Sequence, residues 1–183
     1  MTRYAAMLRG INVSGRNRLP MDRLRTMVEN AGGSDVETYI QSGNAVFTSR
    51  RSEAAVVKAL EAELAGAFDA TVPVLVRSAA DLAAVVGANP FLGRRGTDPG
   101  MLHVTFLGAA PTPAAEAVVV ARKASPDELA VVGRQVYLRC PQGYGRTKLT
   151  NTYLQTTLGG PATTRNWKTV VTLLSMAGGG AKH

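Results

Sequence analysis

Apolar and polar positions along this chain alternate between two spacings, and the switches between them mark out the elements. Tyr4 to Leu8 is a short apolar run of the kind that forms a buried strand. It passes into a polar, glycine-containing loop, Arg9 to Leu19. Pro20 suits the first turn of a helix, and Met21, Leu24, Met27, Val28 and Ala31 fall on one face at helical spacing. Gly32 and Gly33 stop that helix. Glu37 to Gln41 and Ala45 to Thr48 read as strands about the turn Ser42-Gly43-Asn44. Ser52 is placed to cap a second helix that buries Val57, Leu60, Leu64 and Phe68. Val72 to Val76 is again β-rich. Ser78, with Asp81 three positions on, predicts the start of a third helix.

The order β-α-β-β-α-β-α then recurs. Leu102 to Leu107 reads as a strand, and Thr112-Pro113 opens a helix to about Lys123. Glu128 to Val132 and Gln135 to Arg139 flank Gly133-Arg134 as a second hairpin. Thr150 to Leu158 is helical, Ala162 to Arg165 is a short strand, and Asn166 caps a last helix. That helix shares Trp167, Val170, Val171, Leu174 and Ala177 along one face. Gly and Pro punctuate Ala88 to Gly100, which has the composition of a linker. The expected fold is therefore α+β, two ferredoxin-like βαββαβ halves with additional helices. The expected divisions are 1–88, a linker at 89–101, and 102–183 including the C-terminal helix.

Composition fits such a fold. Of the 183 residues, 45% are hydrophobic and 5% aromatic, so Val, Leu, Ala and Met must build the core. Apolar segments fall short of the roughly 20 residues that cross a bilayer. Arg9 and Gly10 interrupt the early apolar run before it can serve as a signal-peptide core, so a cytoplasmic location and no membrane partner are expected.

Charge changes the picture more. The formal net charge is +8. Leu129 to His183 carries seven Lys or Arg and no Asp or Glu, and Arg3, Arg9, Arg16, Arg18, Arg23 and Arg25 face the single early acid Asp22. Two zones of one sign suggest a surface that meets an anion, although cationic solubility explains the net charge alone equally well.

Four segments could receive such an anion. Arg9-Gly-Ile-Asn-Val-Ser-Gly-Arg-Asn-Arg18 joins a strand to a helix, where backbone N–H groups and the helix dipole favour negative charge. Asn12 lies within it, and Arg9, Arg16 and Arg18 offer bidentate donors. Gly10 and Gly15 have P-loop spacing, but Arg16-Asn17 stands where Lys-Ser/Thr is required, and the P-loop reading fails. The second segment, Thr38 to Asn44 with Gln41 and Asn44, is taken by itself an ordinary polar turn. The third, Gly143 to Asn151, carries Arg146, Lys148 and Asn151 ahead of a helix. The fourth brings Arg165, Asn166 and Lys168. Capping by Thr150 and Asn166 and packing of Trp167 account for those three residues.

Other chemistries are missing from the pattern. Cys140 is the single cysteine, in a strand-like run, and reads as a buried inert thiol. His103 lies within a strand and His183 ends the chain, neither with an obvious catalytic partner. No spacing suggests a metal site, and nothing calls for a cofactor. Any catalysis would lean on cationic and hydrogen-bond stabilisation.

Taken together, Leu8-Arg-Gly-Ile-Asn-Val13 with Asn17, Thr38-Tyr-Ile-Gln-Ser-Gly-Asn44, Tyr144-Gly with Lys148-Leu-Thr-Asn151, and Thr163-Thr-Arg-Asn-Trp167 resemble a known group. It is the bacterial family catalogued as domain of unknown function 1697, and the resemblance runs from about Arg3 to Ala177. It implies a compact α+β protein of ferredoxin-like topology and no particular activity. It also favours one shared binding surface over four independent turns. If the halves pack as a pseudo-repeat, the placement of these motifs after strands and before helices would set Arg9, Asn12, Gln41 and Asn44 facing Lys148, Asn151, Arg165 and Asn166 across one cleft.

The leading expectation is a protein that binds a phosphate-bearing partner, nucleic acid first. The alternative is an enzyme or sensor for a small anionic metabolite such as a nucleotide or another phosphorylated ligand. A third reading is a structural or interaction protein whose charge only keeps it in solution. Against single-strand binding stands the scarcity of aromatic side chains, ten in all. Tyr39 and Tyr137 would serve as platforms only if they pointed outward. The sequence leaves oligomeric state and any reaction unspecified.

Overall fold

The computed structural model describes residues 1–13, 15, 17–122 and 124–179. Among these residues, eight strands and six α-helices follow one another in the repeated order. The first series is β1 (Thr2–Leu8), α1 (Met21–Asn30), β2 (Gly33–Tyr39), β3 (Asn44–Ser49), α2 (Glu53–Ala65), β4 (Val74–Ser78) and α3 (Ala79–Gly87). The second is β5 (Leu102–Leu107), α4 (Pro113–Val120), β6 (Glu128–Val132), β7 (Gln135–Arg139), α5 (Asn151–Leu158), β8 (Ala162–Asn166) and α6 (Trp167–Ala177). They form two four-stranded sheets, ordered β2-β3-β1-β4 and β6-β7-β5-β8, with every neighbouring pair antiparallel. Two ferredoxin-like halves therefore stand as the pattern predicts. The chain divides into two compact units, Met1–Ala83 with Thr172–His183, and Ala84–Val171.

In the first unit, Tyr4, Ala6, Leu8, Ala45, Phe47, Val74 and Val76 line one sheet face and pack with Leu24 and Val28 of α1 and Val56, Leu60 and Leu64 of α2. Strand alternation sends Ala5, Met7, Val46, Leu75 and Arg77 to the opposite face, and these are buried too. In the second unit, Leu107, Val136, Leu138 and Ala162 pack with Val119 of α4 and Leu154 and Leu158 of α5. Its opposite face holds Val104, Phe106, Tyr137, Thr163 and Arg165, all buried.

The predicted caps start the helices. Ser52 Oγ accepts from Ala55 N, Ser78 Oγ from Asp81 N, Thr112 Oγ1 from Ala115 N, Thr150 Oγ1 from Tyr153 N, and Asn166 Oδ1 from Thr169 N. Asp81 reaches back to Ser78 N at 3.1 Å, closing the capping box. Each cap stabilises its helix by about 1 kcal/mol.

Two strands sit elsewhere than the apolar pattern placed them. β2 begins at Gly33, just after the helix it follows, and ends at Tyr39 because Ile40 turns to φ +48°. A Cβ on Gly33 would lie 2.7 Å from Val28 Cγ1, so only glycine lets the strand leave the helix that closely. β4 runs to Ser78, two residues past the apolar run, and its polar end passes directly into α3. The segment expected to link the halves is well anchored within the second unit. Phe91 is buried, Thr97 Oγ1 and Gly96 O accept from the Arg139 guanidinium, and Arg94 pairs with Glu128.

Candidate functional site

In the first unit, the loop after β1 is organised by one side chain. Asn12, at φ +55°, donates its amide protons to Leu19 O at 2.9 Å and Gln41 O at 2.7 Å. Its Oδ1 accepts from Leu19 N at 2.9 Å. Asn17, at φ +47°, donates to Gly10 O. Asparagine tolerates the left-handed conformation and can bond locally from it, which is why these positions suit it. Asn12 thus ties both ends of its own loop to the β2–β3 turn. That turn closes on Asn44, which is buried and donates to Tyr39 O and Ser42 Oγ. Gly43, at φ +77°, lies where a Cβ would come within 3.0 Å of Leu8 Cβ, and its carbonyl receives Leu8 N.

Asn12 and Asn44 therefore build the loops, while Arg18 and Gln41 are exposed on them and Arg9 is half-buried. Arg16 lies outside the described residues.

In the second unit a polar cluster occupies the helix-covered face of the sheet. Thr164 Oγ1 meets Thr105 Oγ1 at 2.8 Å, donates to Asn151 Oδ1 at 3.1 Å and accepts from Tyr144 Oη at 3.2 Å. Asn151 N donates to Tyr144 Oη at 3.0 Å, and Asn151 Nδ2 to Ala162 O at 3.1 Å. The His103 ring stacks on Tyr144 at 4.8 Å. Among the described residues His103 Nδ1 is buried without a hydrogen-bond partner, and burial holds the imidazole below its ordinary pKa. By strand register, Ala6, Val76 and Tyr4 hold the equivalent positions in the first unit. Hydroxyls and an imidazole thus replace a mostly aliphatic patch, and Asn151 bonds the Thr164 and Tyr144 hydroxyls of the cluster.

Arg165 belongs to a different surface. Thr164 faces Asn151, so its neighbours Thr163 and Arg165 face the other way. Arg165 is buried, donates to Thr163 Oγ1 at 2.7 Å and Thr164 O at 3.0 Å, and is pushed down to about 10 by burial. Asn166 is exposed and spent on capping α6. Lys168 is exposed on the first turn of that helix. Arg94 and Arg139 share Glu128, each at 2.9 Å, and hold its carboxyl below the usual range. Arg146 and Lys148, by contrast, are exposed on the loop entering α5, with no carboxylate in ion-pair range among the described residues.

A family model described as protein of unknown function (DUF1697) matches residues 1–137. The chain belongs to that family. The match takes in the Arg9 loop and the Asn44 turn, and the Tyr144 and Thr163 segments lie beyond it. This DUF1697 member is also similar to a solved structure, the conserved bacterial protein SP0830 from Streptococcus pneumoniae. The two share 29% identity and a TM-score of 0.75, over 97% of this chain and 99% of the other. No curated protein matches.

Sequence reasoning on this DUF1697 chain placed no weight on His103, Thr105 or Thr164. Thr105 inside Val104-Thr-Phe-Leu107 was the available signal, a lone hydroxyl in an apolar strand. Cys140 is buried and its thiol is raised to about 11, as expected of an inert residue. Tyr137 is buried, with its hydroxyl on Val85 O at 2.8 Å, and is a core residue. His183 lies outside the described residues. Among those described, no group of three or more His, Cys, Asp or Glu side chains could hold a metal, and no helix is long and apolar enough to cross a membrane.

Proposed function

We propose that this protein binds a phosphate-bearing partner, double-stranded nucleic acid, through exposed cations on its glycine-containing loops. The observation that carries the reading is the state of Arg146 and Lys148. Glu128 is the last acid of the chain and is occupied by two arginines. The two loop cations beyond it are exposed, with no carboxylate in ion-pair range among the described residues, and so are open to an incoming anion.

The choice of duplex follows from the aromatic side chains. All ten are buried or half-buried, so none offers the open ring on which single-strand binders stack bases. A cavity of about 480 Å³ is lined by Glu29, Asp35 and Glu37 with the single cation Arg25, and one of about 220 Å³ by Glu61 and Asp69, so carboxylates outnumber cations at both and disfavour a small anionic metabolite there. No reaction is assigned.

Fluorescence anisotropy with a labelled duplex, repeated over a salt series, tests the reading. Each phosphate neutralised contributes about −0.9 to the slope of log K against log salt. The double variant Arg146→Ala/Lys148→Ala should flatten that slope by about 1.8 while leaving the fold intact. An unchanged slope would reject these residues. A protein that ignores duplex but is thermally stabilised by a nucleotide, with only mild salt dependence, would favour a small-ligand site.

A further inference from the structure

Asn12 joins three places in the first unit, its own position, Leu19 and Gln41. The residue beside each junction is exposed. Val13 is 57% exposed, Ile40 is 50% exposed, and Arg18 is open to solvent with no carboxylate in ion-pair range among the described residues. Two aliphatic side chains and a guanidinium thus project from loops held by the same hydrogen-bonded asparagine.

Ile40 is held there against its own preference. It sits at φ +48°, where a β-branched residue clashes with its backbone. Asparagine or glycine would occupy the site without strain. With half of its surface left in water, the Ile40 side chain returns to folding only part of what full burial would, so packing offsets the strain incompletely. It is explained if the side chain is needed by a partner.

We infer that Val13 and Ile40 form an aliphatic wedge that enters a base step of duplex DNA, with Arg18 on the adjoining phosphate. Proteins that kink DNA combine these parts, apolar wedges that part a base step and cations that fix the flanking backbone. The occupant is selected by Arg18, exposed beside the wedge, and by the chain's net charge of +8, which suit a polyanion and not an apolar peptide. An anionic membrane is disfavoured because two aliphatic side chains bury little area and the aromatic anchors of interfacial proteins are not exposed.

This inference rests on the duplex-binding reading and is separable from it. The measurement is energy transfer between dyes at the two ends of a short duplex, alongside anisotropy on the same samples. Wild type should shorten the end-to-end distance. Ile40→Asn, which relieves the left-handed strain and should melt no lower than wild type, and Val13→Ser should each reduce the bend, and the double variant should abolish it. Binding without a bend, or a bend that survives the double variant, overturns the wedge and leaves the duplex reading standing. Absence of duplex binding overturns both, and so does preferential sedimentation with phosphatidylglycerol vesicles.

Discussion

Arg77 and Arg165 occupy the same place in two sheets. Each is the penultimate residue of the last strand of its series, opposite Ala5 in one sheet and Val104 in the other, and each precedes the residue that caps a helix. Both are buried, at 2% and 8% exposure. Arg77 lies 3.8 Å from Glu53 Oε1 and donates to Val76 O, while Arg165 uses Thr163 and Thr164. A buried guanidinium repeated at equivalent register is part of the architecture.

Arg165→Ala should therefore destabilise the fold by about 2–4 kcal/mol, through the space vacated and the acceptors stranded beside it. Arg165→Met should cost less, because it fills the volume and removes the burden of a desolvated charge. Urea unfolding midpoints of the two variants check this, and equal losses would contradict it. Both variants should keep the wild-type salt slope for duplex binding.

Asn12→Ala should cost about 2–4 kcal/mol, since it removes three hydrogen bonds and puts a Cβ-bearing residue without a local partner at positive φ. Asn12→Gly keeps the backbone conformation and loses only the bonds, so its loss should be smaller. Denaturant titration of the pair separates the two contributions.

Thr164→Val and Tyr144→Phe each delete a hydroxyl from the cluster around Asn151, and each should cost about 1–2 kcal/mol. Their effects should not add, because Tyr144 Oη donates to Thr164 Oγ1. A double-mutant cycle measures the coupling. Additive losses would show that the two hydroxyls act separately.

His103 makes stability depend on pH. Its folded pKa lies below the ordinary 6.5 because burial opposes the charged form. The unfolded chain therefore binds the proton first as pH falls, and the contribution present above 6.5 is lost as pH drops through the folded pKa. His103→Gln should remove that component. Thermal melts of both proteins between neutral and mildly acidic pH should converge as the wild type loses its advantage.

Much of this molecule was legible in the residues. Ser52, Ser78, Thr112, Thr150 and Asn166 announce helix starts because a cap needs only a short polar side chain and the next turn of backbone. β5, β6 and β7 are legible for a similar reason, since strong apolar or turn-bounded runs define them locally. β2 was misplaced because its true start depends on Gly33 passing against Val28, which no local pattern encodes. The polar candidates were found as residue types but not as roles. Asn12, Asn44 and Asn151 look the same in a loop whether they meet solvent or hold three chain segments together.

Sequence alone determined the order of elements, the caps, the charge imbalance and the family, because each follows from neighbours along the chain or from composition. Tertiary structure decided which polar side chains are consumed and which stay available. Arg165 is buried and Arg146 exposed, yet both are cations in polar segments leading into helices. What separates them is the alternation of β8 and the packing on each face of its sheet, a property of strands brought together from distant parts of the polypeptide.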